Sequence, residues 1–452
     1  MRKWMPLVVV SLGTFMLLVD VTIVNVALPD MARSLGTSFS ALQWVMDAYA
    51  LTLAALLLGL GGVADLIGHR ISYIAGLGVF ALSSLACALA PDSGVLIAAR
   101  AVQGIGAAAM FATTFALLNS SYSGRDRGTA YGVWGAVSGA SAAVGPILGG
   151  VLTQGLSWHW IFLVNLPVSV AAIALAMKAL PADVRQRDRR IDLPGIAAFT
   201  VFAGFLTYGL IEAGTGWGRP VVVLSFVVAT AGLIGFVARE ARSADAMVDL
   251  ALFRRRGFVR TLLAALVLNF AAFAALTYAS IWLQAVLGLS PVQAGLVSLP
   301  MAGAAFLVSA VIGRHLHHRA PGPIIAAGLA LIGIGALLDA LMVDDSSSWP
   351  ALLAGLVVTG LGVGLATPTL SSAAMGAVPV QRGGMAAGMV NTMRQLGFAI
   401  GIAVLGTVWT AQGGAATGLS AAFLVAGITG VVAALMVLAL GRSRTANVPV
   451  AA

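Results

Sequence analysis

LVVVSLGTFMLLVDVTIVNVALP, residues 7–29, is a continuous apolar run with a single acid, Asp20, in its middle. A hydrocarbon core of roughly 30 Å needs about 20 consecutive apolar residues per spanning helix. Thirteen further runs of this kind follow, near 41–61, 71–90, 94–118, 129–152, 160–179, 193–211, 220–238, 258–284, 292–313, 322–342, 350–374, 385–411 and 417–440. Backbone N–H and C=O groups cannot stay unpaired in lipid, so such runs form helices or a closed barrel. These are too long and too evenly apolar for the alternation of barrel strands. The sequence therefore predicts an all-α polytopic membrane protein with fourteen spans.

Charge gives the orientation. Charged residues make up only 9% of the chain. With the N-terminus on the cytoplasmic side, the inner loops collect nearly all the arginines, while the outer side keeps Arg33 and Arg219 beside Asp30, Asp92, Glu212, Asp344 and Asp345. This is the asymmetry expected of a bacterial inner-membrane protein with both termini inside. Missing or inventing one span would swap the later loops and dissolve the bias. The net charge of +9 thus serves topology, which leaves a nucleic-acid partner without support. The first run has no small-residue cleavage site after a short core, so it reads as a span and not a signal. Cys87, the one cysteine, excludes an internal disulfide framework. Arginine exceeds lysine 23 to 2, which suggests a high-GC bacterial gene.

Two charged joints, ADVRQRDRR (182–190) and REARSADAMVDLALFRRR (239–256), divide the chain. Residues 1–181 form a first six-helix bundle, 182–256 an insertion of two helices, and 257–452 a second six-helix bundle with a short tail. Repeated halves flanking a midplane site are the layout of secondary transporters. The inserted pair carries no intramembrane charge and reads as an insertion at the hinge.

Ionisable side chains within spans are costly and mark function. Asp20 is read as a proton carrier, close in sequence to Thr22 and Asn25. Asp47, one turn into the second span and close to the outer surface, is a second proton-coupling acid, a charge at the cavity mouth or a snorkelling residue. Asp339 lies near the outer end of the eleventh span. Arg100 and Gln103 form a polar island in the fourth span; arginine keeps its charge, so it needs a carboxylate, carbonyls or water there. Asn391, Arg394 and Gln395 form a similar island in the thirteenth, which either binds substrate or braces the bundle. A cavity between the halves is expected from Asn25, Trp44, Tyr49, Gln103, Phe111, Phe115, Trp134, Asn269, Tyr278, Trp282, Asn391 and Arg394, a mostly aromatic set that favours lipophilic monovalent cations.

Loops and glycines supply gating residues. GGVADLIGHRISY (61–73) is a tight inner turn with Gly61, Asp65, Gly68, His69 and Arg70. The later loop HLHHRAPG (315–322) has three histidines without carboxylate neighbours, so no metal site is expected. Gly145, Pro146, Gly149 and Gly150 mark the fifth span for close packing and bending. With Lys3 and Lys178 as the only lysines, no phosphate-binding Gly-x-x-x-x-Gly-Lys loop exists and ATP-driven transport by this chain alone is excluded. No His/Cys/carboxylate cluster supports an enzyme.

In this order and at these spans, the residues resemble the major facilitator superfamily, and within it the drug:proton antiporter family with fourteen spans. Asp20 to Pro29 is similar to that family's Asp-x-Thr-Ile-Val-Asn-Val-Ala-Leu-Pro. Gly61 to Arg70 is similar to Gly-x-x-x-Asp-x-x-Gly-Arg-Arg, with His69 at the first basic position. Arg100 to Gly104 resembles Arg-x-x-Gln-Gly, and Gly145 to Gly150 resembles Gly-Pro-x-x-Gly-Gly, with Ser141 at its upstream glycine. WHWIFLVNLPV (158–168) and RQLGFAIGIAVLGT (394–407) also resemble family hallmarks. The resemblance implies the major facilitator fold and export of hydrophobic, often cationic drugs or antibiotics in exchange for protons, by a monomer in lipid with no cofactor beyond the proton gradient. It assigns Asp20 and Arg100 to proton coupling, the Gly-Pro stretch to antiport, and Asp65, Arg70 and Arg127 to the cytoplasmic gate. Dedicated export of an anionic or neutral natural product, or uptake by symport, are the alternatives.

Overall fold

The computed structural model describes residues 2–181, 192–214, 216–243, 248, 250–315, 320–378 and 383–442. Among these, thirteen helices are long and apolar enough to cross a membrane, and a helix of 32 residues, Gly124–Gly155, takes the fifth place between them. We number the spans α1 (Met5–Leu35), α2 (Phe39–Ile67), α3 (His69–Ala88), α4 (Ser93–Ser121), α5 (Gly124–Gly155) and α6 (Trp160–Ala179). The inserted pair is α7 (Leu193–Ala213) and α8 (Pro220–Arg242). The rest are α9 (Arg256–Ala285), α10 (Pro291–Val297 and Leu299–His315), α11 (Pro321–Met342), α12 (Trp349–Gly376), α13 (Gly383–Ala411) and α14 (Ala416–Arg442).

Local chemistry sets the helix ends. The Ser38 hydroxyl accepts from Ala41 N at 3.2 Å, and the Asp92 carboxylate accepts from Val95 N at 2.9 Å, each satisfying an orphan donor of a first turn. Ser290 and Gln293 form a capping box at the start of α10. Gly36 closes α1 at φ +56, and Gly68 makes the α2–α3 turn at φ +111, a conformation that side chains resist. Three spans depart from uniform helices: α6 breaks at Val164, α10 breaks at Ser298, and α9 winds as a π-helix over Asn269–Ala274. The apolar pattern is continuous across all three and does not announce them.

Helix pairings in the first half recur eight helices later. The pairs α2 with α4, α3 with α4, α3 with α6 and α1 with α5 are matched by α10 with α12, α11 with α12, α11 with α14 and α9 with α13. Apolar side chains gain little by leaving lipid for a neighbouring helix, so close backbone approach at small residues holds such pairs. A Cβ on Gly104 would lie 2.7 Å from Tyr49 O, on Gly360 2.2 Å from Met301 O, and on Gly397 2.0 Å from Leu266 O.

The halves meet through α2 with α13, α5 with α10 and α1 with α9. The polar contacts gather at the membrane face opposite the termini, here the far face. Gln43 donates to Ile402 O at 3.0 Å, Gln284 to Val26 O at 2.9 Å and Ser280 to Asn25 O at 3.4 Å. A Cβ on Gly150 would meet Pro291 O at 2.7 Å, and one on Gly295 would meet Pro146 O at 2.5 Å. The far face is therefore sealed between the halves. The inserted pair is not confined to a hinge. Helix α7 packs against α2 and α13, across the seam: Tyr208 lies 6.0 Å from Trp44, while Thr407 donates to Leu210 O at 3.0 Å.

Candidate functional site

The two polar islands of α1 and α4 are one site. Arg100 forms an ion pair with Asp20, residues 1% and 0% exposed. Asp20 is thus no isolated acid: an arginine beside it supplies the compensation that a charge at this depth requires. Arg100 also donates through Nε to Val45 O at 3.0 Å and through Nη1 to Gln103 Oε1 at 2.6 Å. Its guanidinium lies 4.4 Å from the Tyr49 ring centre and 5.8 Å from that of Phe162. Gln103 turns its amide nitrogen to Asp20 Oδ1 at 2.9 Å and to Ser84 Oγ at 2.9 Å. Helical geometry makes this possible, since positions 100 and 103 share one face of α4.

A fourth group enters from α6. Asn165 Nδ2 donates to Asp20 Oδ1 at 3.0 Å and reaches Ser84 Oγ at 3.4 Å. Asn165 starts the second segment of α6, after the break at Val164, which aims the amide inward. The sequence reading placed Asn165 within a family-like stretch but gave it no role. The available signal was an amide inside an otherwise apolar span.

Glycines of α5 press the acid-bearing helix into place. A Cβ on Gly145 would fall 1.8 Å from Thr22 Oγ1, and one on Gly149 would fall 2.7 Å from Ile23 O. Gly150 faces the other half, so the stretch Gly145, Pro146, Gly149, Gly150 couples α1 to α10 through α5.

The remaining predicted residues divide among several places. Tyr49 belongs to the ion-pair site. Phe111 and Phe115 pack against Trp134 at ring distances of 6.4 and 4.8 Å, and Trp134 donates to Thr14 Oγ1 at 2.9 Å. Trp44 faces the inserted helix. Tyr278 donates to Ile402 O and is fully buried with Trp282 in the far-face seal. Tyr278 and Trp282 therefore line no open space in this conformation, because the seam between halves has closed over them, while Trp44 stays half-buried against Tyr208. Asn25 is buried, and its side-chain oxygen has no hydrogen-bond partner among the described residues. Asp47 is fully buried beside the same seam, and neither carboxylate oxygen has a hydrogen-bond partner among the described residues. Arg394 of α13 donates through Nε to Asn269 Oδ1 at 3.3 Å, and Asn391 is half-buried one turn away. Asp339 is buried against Gly355 where α11 meets α12, apart from these groups.

At the terminal face, Asp65 pairs with His69 at 3.4 Å and Arg70 donates to Met177 O. Arg127 turns instead to the end of α4, donating to Tyr122 O at 3.0 Å and Asn119 O at 3.2 Å. Among the described residues Asp65 and Arg127 are not paired in this conformation, which is sealed at the far face, whereas the gate cluster is expected when the protein opens to that face. A Cβ on Gly61 would meet nothing within 4 Å. The joint 182–190 and His317 and His318 lie outside the described residues.

A buried ion pair inside two matched helical halves, sealed at one face, defines a membrane transporter. The chain belongs to the Major Facilitator Superfamily, whose profile matches residues 10–401. It is 37% identical over 410 residues to the multidrug resistance protein Stp of Mycobacterium tuberculosis, covering 90% of this chain and 76% of that one. A methylenomycin A resistance protein of Bacillus subtilis is 33% identical, with 95% and 93% covered. The cephamycin export protein CmcT of Amycolatopsis lactamdurans is 36% identical, with 89% and 84% covered. Among solved structures, a POT family transporter in complex with a thioalcohol-conjugated peptide superimposes with a TM-score of 0.72 at 15% identity, covering 96% of each chain, a likeness of fold.

Proposed function

We propose that this protein exports hydrophobic drugs or antibiotics from a bacterial cell across the cytoplasmic membrane, in exchange for protons, by alternating access. The relatives' resistance and export functions support the export reading. The observation that carries the mechanism is the Asp20–Arg100 pair, held by Gln103 and Asn165. In this reading Asp20 is the group that takes and releases the proton, and Arg100 stabilises its charged form. Protonation removes the pair's Coulomb attraction, so α1 is freed to move against α4 and α5. The Gly145–Thr22 and Gly149–Ile23 approaches transmit that movement to α10 through Gly150.

The protein works as a monomer in lipid, with both termini cytoplasmic and no cofactor; the proton gradient is its energy source. Residues 1–181 and 257–452 are the two moving bundles, and 182–256 bridges them. Asp47 is the second coupling acid, poised at the seam that must open. Everted membrane vesicles test the reading: adding an exported dye should release protons from the vesicle lumen with wild-type protein and not with Asp20→Asn. Dye accumulation unaffected by collapsing the pH gradient would refute it.

A further inference from the structure

Arg394 lies well inside α13, as Arg100 lies inside α4, and its surroundings contrast with those of Arg100. Arg100 is met by an acid, an amide, a carbonyl and two rings. Arg394 makes one hydrogen bond, from Nε to Asn269 Oδ1, and no ion pair among the described residues. Arginine carries five N–H donors and does not shed its proton in proteins. A brace would engage those donors with carbonyls or carboxylates. Here the terminal nitrogens have no such partner among the described groups.

The side chain is half-buried, as is that of Asn391 one turn away, so neither is closed off from the surroundings of α13. The position of Arg394 is fixed from behind. Gly397 and Gly401 of α13 press against Leu266 and Phe270 of α9. Asn269 opens the π-helix of α9, a distortion that gives up regular hydrogen bonding and recurs at functional sites. The adjacent residue of α13, Gln395, keeps a buried side-chain oxygen without a hydrogen-bond partner among the described residues.

We infer that Arg394, oriented by Asn269, is a subsite for an anionic group on the exported molecule, a carboxylate above all. Guanidinium matches a carboxylate with two parallel N–H donors, and an arriving anion supplies the compensation that this half-buried cation lacks among the described residues. The cargo would then include amphiphiles with one acidic group as well as lipophilic cations. The inference rests on the export reading, and its test separates the two.

Three acid and methyl-ester pairs serve as probes: fusidate, benzylpenicillin and fluorescein, with tetraphenylphosphonium as the cation. Binding is measured on purified full-length protein in nanodiscs, and export in reconstituted vesicles. In wild type, at least one acid should bind about tenfold or more tighter than its ester, the scale of a charge-assisted pair. Arg394→Gln should bring that ratio to near one, and Arg394→Lys should leave an intermediate ratio. The ratio is the readout, so a general loss of activity does not imitate the effect. Should Arg394→Gln fail to fold, the wild-type ratio and the Arg394→Lys ratio still decide. Export of esters and the cation with no acid preferred in wild type, or a preference unchanged in Arg394→Gln, overturns the subsite and leaves export standing. Export of no probe of any charge overturns the export reading itself.

Discussion

Asn165 donates its side-chain amide to Asp20 Oδ1 at 3.0 Å across 145 residues of sequence. The break in α6 aims it there, so the carboxylate of α1 is met by groups from α4 and α6 together. A hydrogen bond to a charged group contributes about 1.5–3 kcal/mol. Asn165→Ala should therefore lower export by about ten- to a hundredfold at equal protein level. Initial efflux rates normalised to membrane content measure this, and wild-type rates would show that Asn165 is only packing.

The ion pair makes a stability prediction. Removing one member of a buried pair costs about 3–5 kcal/mol, because the other is left uncompensated. Arg100→Ala should melt well below wild type in detergent. Asp20→Asn combined with Arg100→Gln should melt above Arg100→Ala, since no bare charge remains. Additive losses in the double variant would mean that the two residues act independently.

Two glycines of α5 should respond differently to the same change. Gly145→Ala meets the Thr22 hydroxyl, whereas Gly149→Ala meets the Ile23 carbonyl. Overpacking costs about 1–3 kcal/mol in each case. Adding Thr22→Ala should recover part of the Gly145→Ala loss and none of the Gly149→Ala loss. Thermal melting of the four variants decides, and equal recovery in both backgrounds contradicts the contact geometry.

Gly61 and Gly68, read together as gating residues, should also separate. Gly68→Ala forces a side chain into φ +111, a strain of about 1–3 kcal/mol. Gly61 sits in a helix with open space around its Cβ position, so Gly61→Ala should be neutral or stabilising by up to about 1 kcal/mol. A stable Gly61→Ala with slowed transport would then assign Gly61 to movement and not to folding. Melting temperature and efflux rate, measured on the same preparation, distinguish these outcomes.

The fourteen helices were legible because bilayer thickness imposes one length on every span. The site was legible only in its parts. Asp20 and Arg100 each stand out as charges in apolar runs, but nothing in their spacing along the chain says that they meet. Asn165 carries no charge and hides among family-like apolar residues. The aromatic positions mislead for a related reason: Trp44, Phe111, Tyr278 and Trp282 have the same composition whether they face a cavity, a neighbouring helix or a closed seam. Which face a ring presents is decided by packing, as the Trp44–Tyr208 contact with the inserted helix shows. The helix breaks at Val164 and Ser298 and the π-helix at Asn269 are likewise set by tertiary contacts, since apolar runs continue through them.

Proton exchange through Asp20 is the central claim, and substrate-induced proton flux in reconstituted vesicles tests it most directly. Purified protein is placed in liposomes with a pH-sensitive dye inside, and a transported drug is added against an imposed pH gradient. Wild type should move protons in a fixed ratio to drug, Asp20→Glu should keep part of this flux, and Asp20→Asn should show neither proton movement nor gradient-driven drug transport. Gradient-driven transport at the wild-type rate in Asp20→Asn would contradict the account.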